Sequence, residues 1–334
     1  MKILIATGIF PPDVGGPAKY AENLHKEFQS RSFEIKVLAY KLEKKLPPVI
    51  RHIFYFLRVI MSLPKTDFII ALDVFSTGFP AVLAAKIFNK KIILRVGGDF
   101  LWETYVEKTG KMITLKDFYE KMPALPLKHK IIFSFQEFTL LNSSAIVFNS
   151  LWQKDFFEKV YGLNPKKTFV VENFYGEKTE SYEPREKNFL FAGRKIKFKN
   201  INLIKEIFDE FKKQGESIVL EIIDNLSQDE LKQKISHSYA LIVPSIGDFA
   251  PNFIMEGLSA NKPFILTKNC GLVEKLKNIG VFIDPFDEAD IKSKILFLAN
   301  EENYNEYKEK VADFNFTHSW SDIADEFLNI YKKL

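Results

Sequence analysis

Two doubly wound α/β domains facing each other across a cleft is the fold class this sequence predicts, on three observations. Short apolar, β-branched runs alternate with longer amphipathic segments from one end of the chain to the other. A polar, aperiodic stretch at residues 173–188 (NFYGEKTESYEPREKN) interrupts that alternation and reads as a linker. The 334 residues also exceed what one hydrophobic core ordinarily serves.

The first run of strands is Ile3–Thr7, Ile35–Tyr40, Phe68–Leu72, Lys91–Val96, Ala145–Phe148 and Thr168–Val171. Amphipathic segments such as Ala18–Gln29, Phe79–Phe88, Leu127–Leu141 and Leu151–Val160 separate them. Continuous apolar strands joined by helices mean a parallel sheet covered on both faces. After the linker come strand Phe189–Ala192, helix Ile201–Lys213, strand Ile218–Ile223, helix Gln228–Ile235 and strand Ala240–Val243. Helix Asn252–Ala260 and strands Phe264–Thr267 and Val281–Ile283 follow, then helices to the end. The boundaries are 1–172 for the first domain and 189–318 for the second, with a final helix over 319–334 returning to the first.

Composition sets outer limits. Hydrophobic residues make up 46% and charged ones 27%, as in a folded globular protein. A net charge of +4 is too small for nucleic acid to be the main partner. One cysteine, Cys270, and five scattered histidines give neither an intrachain disulfide nor a zinc-spaced cluster. No export signal is apparent, because Ile3–Ala6 runs at once into turn residues. No window reaches the roughly 18 apolar residues of a membrane span. The expectation is a cytoplasmic protein without a metal.

Three segments carry chemistry. The first strand runs into Gly8-Ile9-Phe10-Pro11-Pro12-Asp13-Val14-Gly15-Gly16-Pro17. Paired glycines let a backbone approach a bulky anion, and Pro17 suits the first turn of the helix that follows. A plain βα loop with turn glycines fits equally well. Strand Phe189–Ala192 ends in Gly193-Arg194, with Lys199 five residues on. A guanidinium fork and an ammonium at a strand's carboxyl end can neutralise a diphosphate, or form a solvated basic loop as Lys195 and Lys197 do. In the third segment, Pro244 to Gly257, Asp248 and Glu256 lie eight residues apart across a Gly/Pro loop and the start of a helix near Asn252. The loop N–H groups suit phosphate and the carboxylates suit hydroxyls; a turn aspartate and a solvated glutamate are the alternative.

Together these segments resemble the retaining group 1 glycosyltransferases, family 4, of the GT-B fold, in which two Rossmann-like domains face each other. Members carry a Gly-Gly loop after the first strand and a G-R-x4-K-G motif opening the second domain. An acidic-x7-Glu element and a G-x-P follow. Gly15-Gly16, Gly193-Arg194 with Lys199, Asp248 with Glu256, and Asn261-Lys262-Pro263 fall on those positions. Phe316–Tyr331 is similar to the family's returning C-terminal helix. The resemblance implies transfer of a sugar, with retention, from a nucleoside-diphosphate-sugar to a glycan, lipid-linked or other acceptor, without a metal. It implies that Arg194 and Lys199 stabilise the departing diphosphate, that Glu256 holds the ribose, and that Asp248 touches the donor sugar. Gly16 and the N–H groups near Asn252 and Phe253 would meet phosphate. Asp248 replaces the usual glutamate, and Asn200 and Asn261 replace common glycines. Where members place a histidine near the donor sugar, this chain offers Asp99, with Glu103 second; a turn aspartate and a surface glutamate fit equally well. The segment onward to Lys130 is expected to form a lid or acceptor wall. A nucleotide-sugar-binding or scaffolding protein without transfer is the second reading, and another two-domain α/β enzyme such as an epimerase the third.

Residues 41–65 hold six basic residues (Lys41, Lys44, Lys45, Arg51, Arg58, Lys65) against one acid, Glu43. On a helix from Val49, Arg51, Tyr55, Arg58 and Ser62 make one polar stripe. Two readings stand: a packed crossover helix, or a basic surface that docks peripherally on an anionic membrane. Asp287-Glu288-Ala289-Asp290 spells a helicase motif without a P-loop before it, and reads instead as a helix start.

Overall fold

The structure, a computed structural model, describes every residue except Val14 and Asn225. In chain order the first half gives β1 (Lys2–Ala6), α1 (Gly16–Ser30), β2 (Glu34–Leu38), α2 (Pro48–Ile60), β3 (Phe68–Ala71), α3 (Gly78–Ile87) and β4 (Lys91–Val96). It continues with α4 (Phe100–Thr109), α5 (Leu115–Lys121), α6 (Leu127–Asn142), β5 (Ala145–Phe148), α7 (Leu151–Tyr161) and β6 (Thr168–Val170). The second half gives β7 (Lys187–Ala192), α8 (Ile201–Lys213), β8 (Ile218–Ile223), α9 (Gln228–His237), β9 (Ala240–Val243) and α10 (Asn252–Ser259). Then come β10 (Phe264–Thr267), α11 (Val273–Leu276), β11 (Val281–Ile283), α12 (Glu288–Ala299), α13 (Glu301–Asp313) and α14 (Trp320–Lys332).

The chain divides into two compact units. One comprises Met1–Trp102, Met122–Asn173 and Ser319–Leu334; the other comprises Glu103–Lys121 and Phe174–His318. Periodicity gave no means of assigning residues 103–121 to the second unit, nor of finding α4 and α5.

In the first unit six parallel strands run in the order β2-β1-β3-β4-β5-β6, with Ile5 opposite Val37 on one side and Ile70 on the other. Ile3, Ile5, Phe68, Ile70, Ile93, Ala145 and Val147 face one core beside Leu24 and Phe28 of α1 and Ile323 and Phe327 of α14. Their sequence neighbours Leu4, Ile69 and Leu94 are fully buried toward the other face, as the two-residue repeat of a strand requires. Arg31 ties α1 to α14 through Asp325, and Tyr331 stacks on Phe68 at 4.1 Å.

The second unit has five parallel strands in the order β11-β10-β9-β7-β8. Phe189, Phe191, Ala240, Ile242 and Ile265 face the core with α8 and α12. Leu190, Leu241, Val243, Phe264 and Leu266 face the core with α10. Asp287 caps α12 by accepting the Asp290 N–H, so the acidic cluster is a helix start.

Of the two readings of residues 41–65, the packed crossover helix fits α2, and its polar stripe is not the docking surface. Its polar residues face inward: the Tyr55 hydroxyl donates to Leu38 O at 2.7 Å, Arg58 to Ala39 O at 3.0 Å, and Arg51 to Glu43 O at 2.8 Å. Arg58 also pairs with the carboxylate of Glu43, which is fully buried. Burial alone would raise that carboxyl, but the Lys41 N–H and the Arg58 guanidinium outweigh it and hold the group below its usual value. Where the edge strand β2 ends, Leu38 O, which also accepts the Thr7 N–H, and Ala39 O just past it take donors from α2.

Candidate functional site

Strand β7 has β9 on one side and β8 on the other, so the chain reverses its direction across the sheet between β7 and β9. A crevice opens at such a switch point beyond the strands' carboxyl ends, because the two following loops turn to opposite faces. The loops leaving these strands carry the motif residues. Ile246 N–H donates to Phe198 O at 2.9 Å, joining them, and Asp248 N–H donates to Asn269 O at 3.0 Å, adding the loop after β10.

Within this cluster Lys199 Nζ lies 2.6 Å from Asp248 Oδ2, with the two side chains only 19% and 15% exposed. A cation and an acid chosen from sequence 49 residues apart thus meet at the switch point. Arg194, by contrast, is 76% exposed, and its nearest acid is Glu103, 3.9 Å away. Lys195 and Lys197 are not merely solvated: Lys195 pairs with Asp224 at 2.9 Å, and Lys197 donates to Glu107 O at 3.0 Å. Phe198 N–H reaches the Glu107 carboxylate at 3.4 Å, so α4 is laced to the loop that bears Lys199.

The two asparagines at glycine positions have a backbone explanation. Asn200 sits at φ 57° and Asn261 at φ 54°, in the left-handed region that asparagine tolerates best after glycine. Asn200 further donates to Pro285 O at 2.8 Å.

Glu256 lies in the second turn of α10 and accepts from Gln228 Nε2 at 2.7 Å. Burial raises its carboxyl above the usual value, against the Gln228 bond and the Lys232 charge. Asn252, exposed, and Phe253, buried, open α10 after Pro251, where first-turn N–H groups lack helical acceptors. Cys270 is buried, and its thiol is pushed up by that burial.

In the first unit β1 lies between β2 and β3, a second switch point. Gly15 adopts φ 136°, ψ 161°, a conformation essentially restricted to glycine, and Gly16 opens α1 with Pro17 in its first turn. Across the switch point Asp73 accepts the N–H groups of Thr77 and Gly78, fixing the start of α3.

Asp99 requires correction. It is fully buried, accepting the Trp102 N–H at 2.8 Å and Gln136 Nε2 at 3.3 Å, so it serves the start of α4 rather than facing a sugar. Sequence reasoning missed Asp73, Glu107 and Gln228. Only Gln228 carried a local signal, standing just after Ser227, which forms a capping box with Glu230. Among the described residues no group of three or more His, Cys, Asp or Glu is placed to hold a metal, and no helix is long and apolar enough to cross a membrane.

No protein-family model matches the chain. It is similar to an uncharacterized glycosyltransferase, MJ1178, of Methanocaldococcus jannaschii, with 25% identity over 367 residues, 100% of this chain and 99% of that protein. Among solved structures, sucrose-phosphate synthase from Thermosynechococcus elongatus superposes with a TM-score of 0.72 at 10% identity, over 99% of this chain and 98% of that one. WaaG, a glycosyltransferase involved in lipopolysaccharide biosynthesis, superposes with a TM-score of 0.66 at 11% identity, over 99% of each chain. UDP-GlcNAc 2-epimerase from Neisseria meningitidis, bound to UDP-GlcNAc, superposes with 0.60 at 13% identity over the whole of both chains. The fold is therefore GT-B, and along its whole length the chain is similar in sequence to a glycosyltransferase.

Proposed function

We propose that this protein is a retaining glycosyltransferase that moves a sugar from a nucleoside-diphosphate donor to a glycan, lipid-linked or other acceptor without a metal. The observation that carries the reading is the Lys199–Asp248 pair at the switch point of the second sheet, at the end of a strand that also delivers Arg194. Negative charge on the leaving diphosphate grows as the glycosidic bond breaks, and fixed cations stabilise that state more than the ground state. Lys199 supplies the ammonium. Arg194, long and loosely held, supplies the bidentate fork. Asp248 orients Lys199 and offers its second oxygen to a sugar hydroxyl. Glu256, whose partner Gln228 engages only Oε1, has Oε2 for a ribose hydroxyl. The N–H groups at Asn252 and Phe253 give donors to phosphate.

One observation favours a second reading, donor binding without transfer: Asp99, the first candidate for the missing histidine, is enclosed. Thermal unfolding against UDP, GDP, ADP, CDP and TDP, each with Mg²⁺ or with chelator, tests the donor site. A ligand at 100 times its dissociation constant adds about 2.7 kcal/mol, so a shift of several degrees is expected for one base. If none of the five raises the midpoint, the diphosphate site is lost with the proposal. With the donor base known, NMR of sugar released from the matching nucleotide-sugar separates transfer with retention from epimerisation or inert binding.

A further inference from the structure

The inversion of α2 leaves its apolar face uncovered. Val49 is 71% exposed, Ile50 52%, Ile53 56%, Leu57 50% and Met61 73%, and Leu42 just before the helix is 62% exposed. At 100° per residue Val49, Ile53, Leu57, Ile50 and Met61 fall within one band about 120° wide. A contiguous apolar band on a monomer surface marks an interaction site rather than ordinary surface composition.

The charges around the band identify the partner. Lys41 and Lys45 are exposed at its N-terminal end and Lys65 at its C-terminal end. Lys44 beside them is taken up by Asp13. The only acid of residues 41–65, Glu43, is buried against Arg58. An apolar band with an ammonium group at each end and no exposed carboxylate along it suits a surface that is apolar inside and anionic at its rim. We propose that the outward face of α2 docks on an anionic lipid bilayer, with Val49, Ile53, Leu57 and Met61 entering the headgroup boundary and Lys41, Lys45 and Lys65 meeting lipid phosphates. The arginines of this segment take no part, being committed to the carbonyls of Glu43 and Ala39 and to the Glu43 carboxylate. Binding thus combines an apolar band with lysines at its two ends, rather than resting on a basic stripe along the helix.

Flotation of the full chain with phosphatidylglycerol-containing vesicles, against pure phosphatidylcholine, tests this. Ile53→Ser/Leu57→Ser is expected to lower partitioning about tenfold or more, since two half-exposed aliphatic groups lose their burial. Lys41→Ser/Lys45→Ser/Lys65→Ser is expected to lower it about fivefold per lysine and to abolish the preference for anionic lipid. All five positions are exposed, so unfolding midpoints and the nucleoside-diphosphate stabilisation should stay at wild type. If the aliphatic pair proves destabilised, Val49→Ser/Met61→Ser replaces it. No flotation of wild type at low salt overturns the proposal, as does equal flotation of the aliphatic variants. A wild-type dimer in sedimentation that Ile53→Ser/Leu57→Ser dissociates, with flotation unchanged, would assign the face to a second copy instead.

Discussion

Replacing Lys199 by methionine removes the ammonium facing Asp248 while keeping a side chain of similar length. The two groups are 2.6 Å apart and each side chain is more than four-fifths covered, so Asp248 loses its counter-charge where water only partly reaches it. Stripping a fully buried carboxylate of its partner costs about 3–5 kcal/mol. An exposed pair contributes less than about 1 kcal/mol. This geometry lies between, and about 2 kcal/mol is expected, a fall of roughly 4–8 °C in midpoint for a unit of this size. Asp248→Asn alone should cost about 1 kcal/mol, because the long lysine stem lets the freed ammonium reach water. The double variant should lose less than the sum, by about 1 kcal/mol or more, since each single change leaves a charge that the double removes. Thermal unfolding of the four proteins, with and without the nucleoside diphosphate that stabilises wild type, reads both stability and binding. Nucleotide stabilisation should vanish in the two proteins lacking Lys199 and persist in Asp248→Asn, whose ammonium is free to meet phosphate. Additivity of the two single changes to within about 0.3 kcal/mol would refute the pair. Undiminished nucleotide stabilisation of Lys199→Met would refute its role.

Other positions give sharper tests of single contacts. The folded carboxyl of Glu256 is raised above its ordinary value of 4.5, so its contribution to stability is full below that value and is lost as pH rises through the folded value. Glu256→Gln should therefore melt above wild type at neutral pH, with the difference closing below the ordinary value, while weakening nucleotide binding about tenfold. Asn200→Gly should be close to neutral in a urea titration, trading relief at φ 57° against the bond to Pro285 O. Asn200→Ala loses on both counts and should cost about 1–2 kcal/mol. A Cβ at Gly78 would stand 1.9 Å from the carbonyl oxygen of Asp73, which is backbone and cannot turn aside. Gly78→Ala should cost about 3 kcal/mol or more by the same titration.

The sheets were largely legible because parallel strands covered on both faces read as unbroken apolar runs. Lys91–Val96, Ile218–Ile223, Ala240–Val243 and Phe264–Thr267 form at the bounds their composition indicates. Helices α4 and α5 were hidden because Phe100-Leu101-Trp102-Glu103-Thr104-Tyr105 carries aromatics without a clean helical period. At the candidate site, a glycine or proline closing an apolar run marked the strand ends, and so located Arg194, Lys199 and Asp248. Their partners could not be read. Glu107 reaches the Lys199 loop from 91 residues away and Gln228 reaches Glu256 from 28, and no local pattern encodes either contact.

At Asp99 and in α2 the readings that turned a polar residue toward sugar or lipid give way to the plainer ones, a turn aspartate and a packed helix, for a common reason. Polar groups go where an unpaired partner waits, and in a folded chain that partner is often backbone. The N–H of Trp102 and the side chain of Gln136 draw Asp99 inward. The carbonyls of Leu38 and Ala39, leaving an edge strand, draw Tyr55 and Arg58 inward in the same way. The consequences differ. At Asp99 the result is one enclosed side chain and a fixed helix start. On a helix the periodicity couples the faces, so turning the polar stripe inward obliges the apolar one to turn outward. The six basic residues of 41–65 then divide by geometry: Arg51, Arg58 and Lys44 serve the fold, while Lys41, Lys45 and Lys65 remain at the ends of an apolar band. A surface that looked electrostatic in sequence is, once those backbone carbonyls are counted, a hydrophobic one with charged ends.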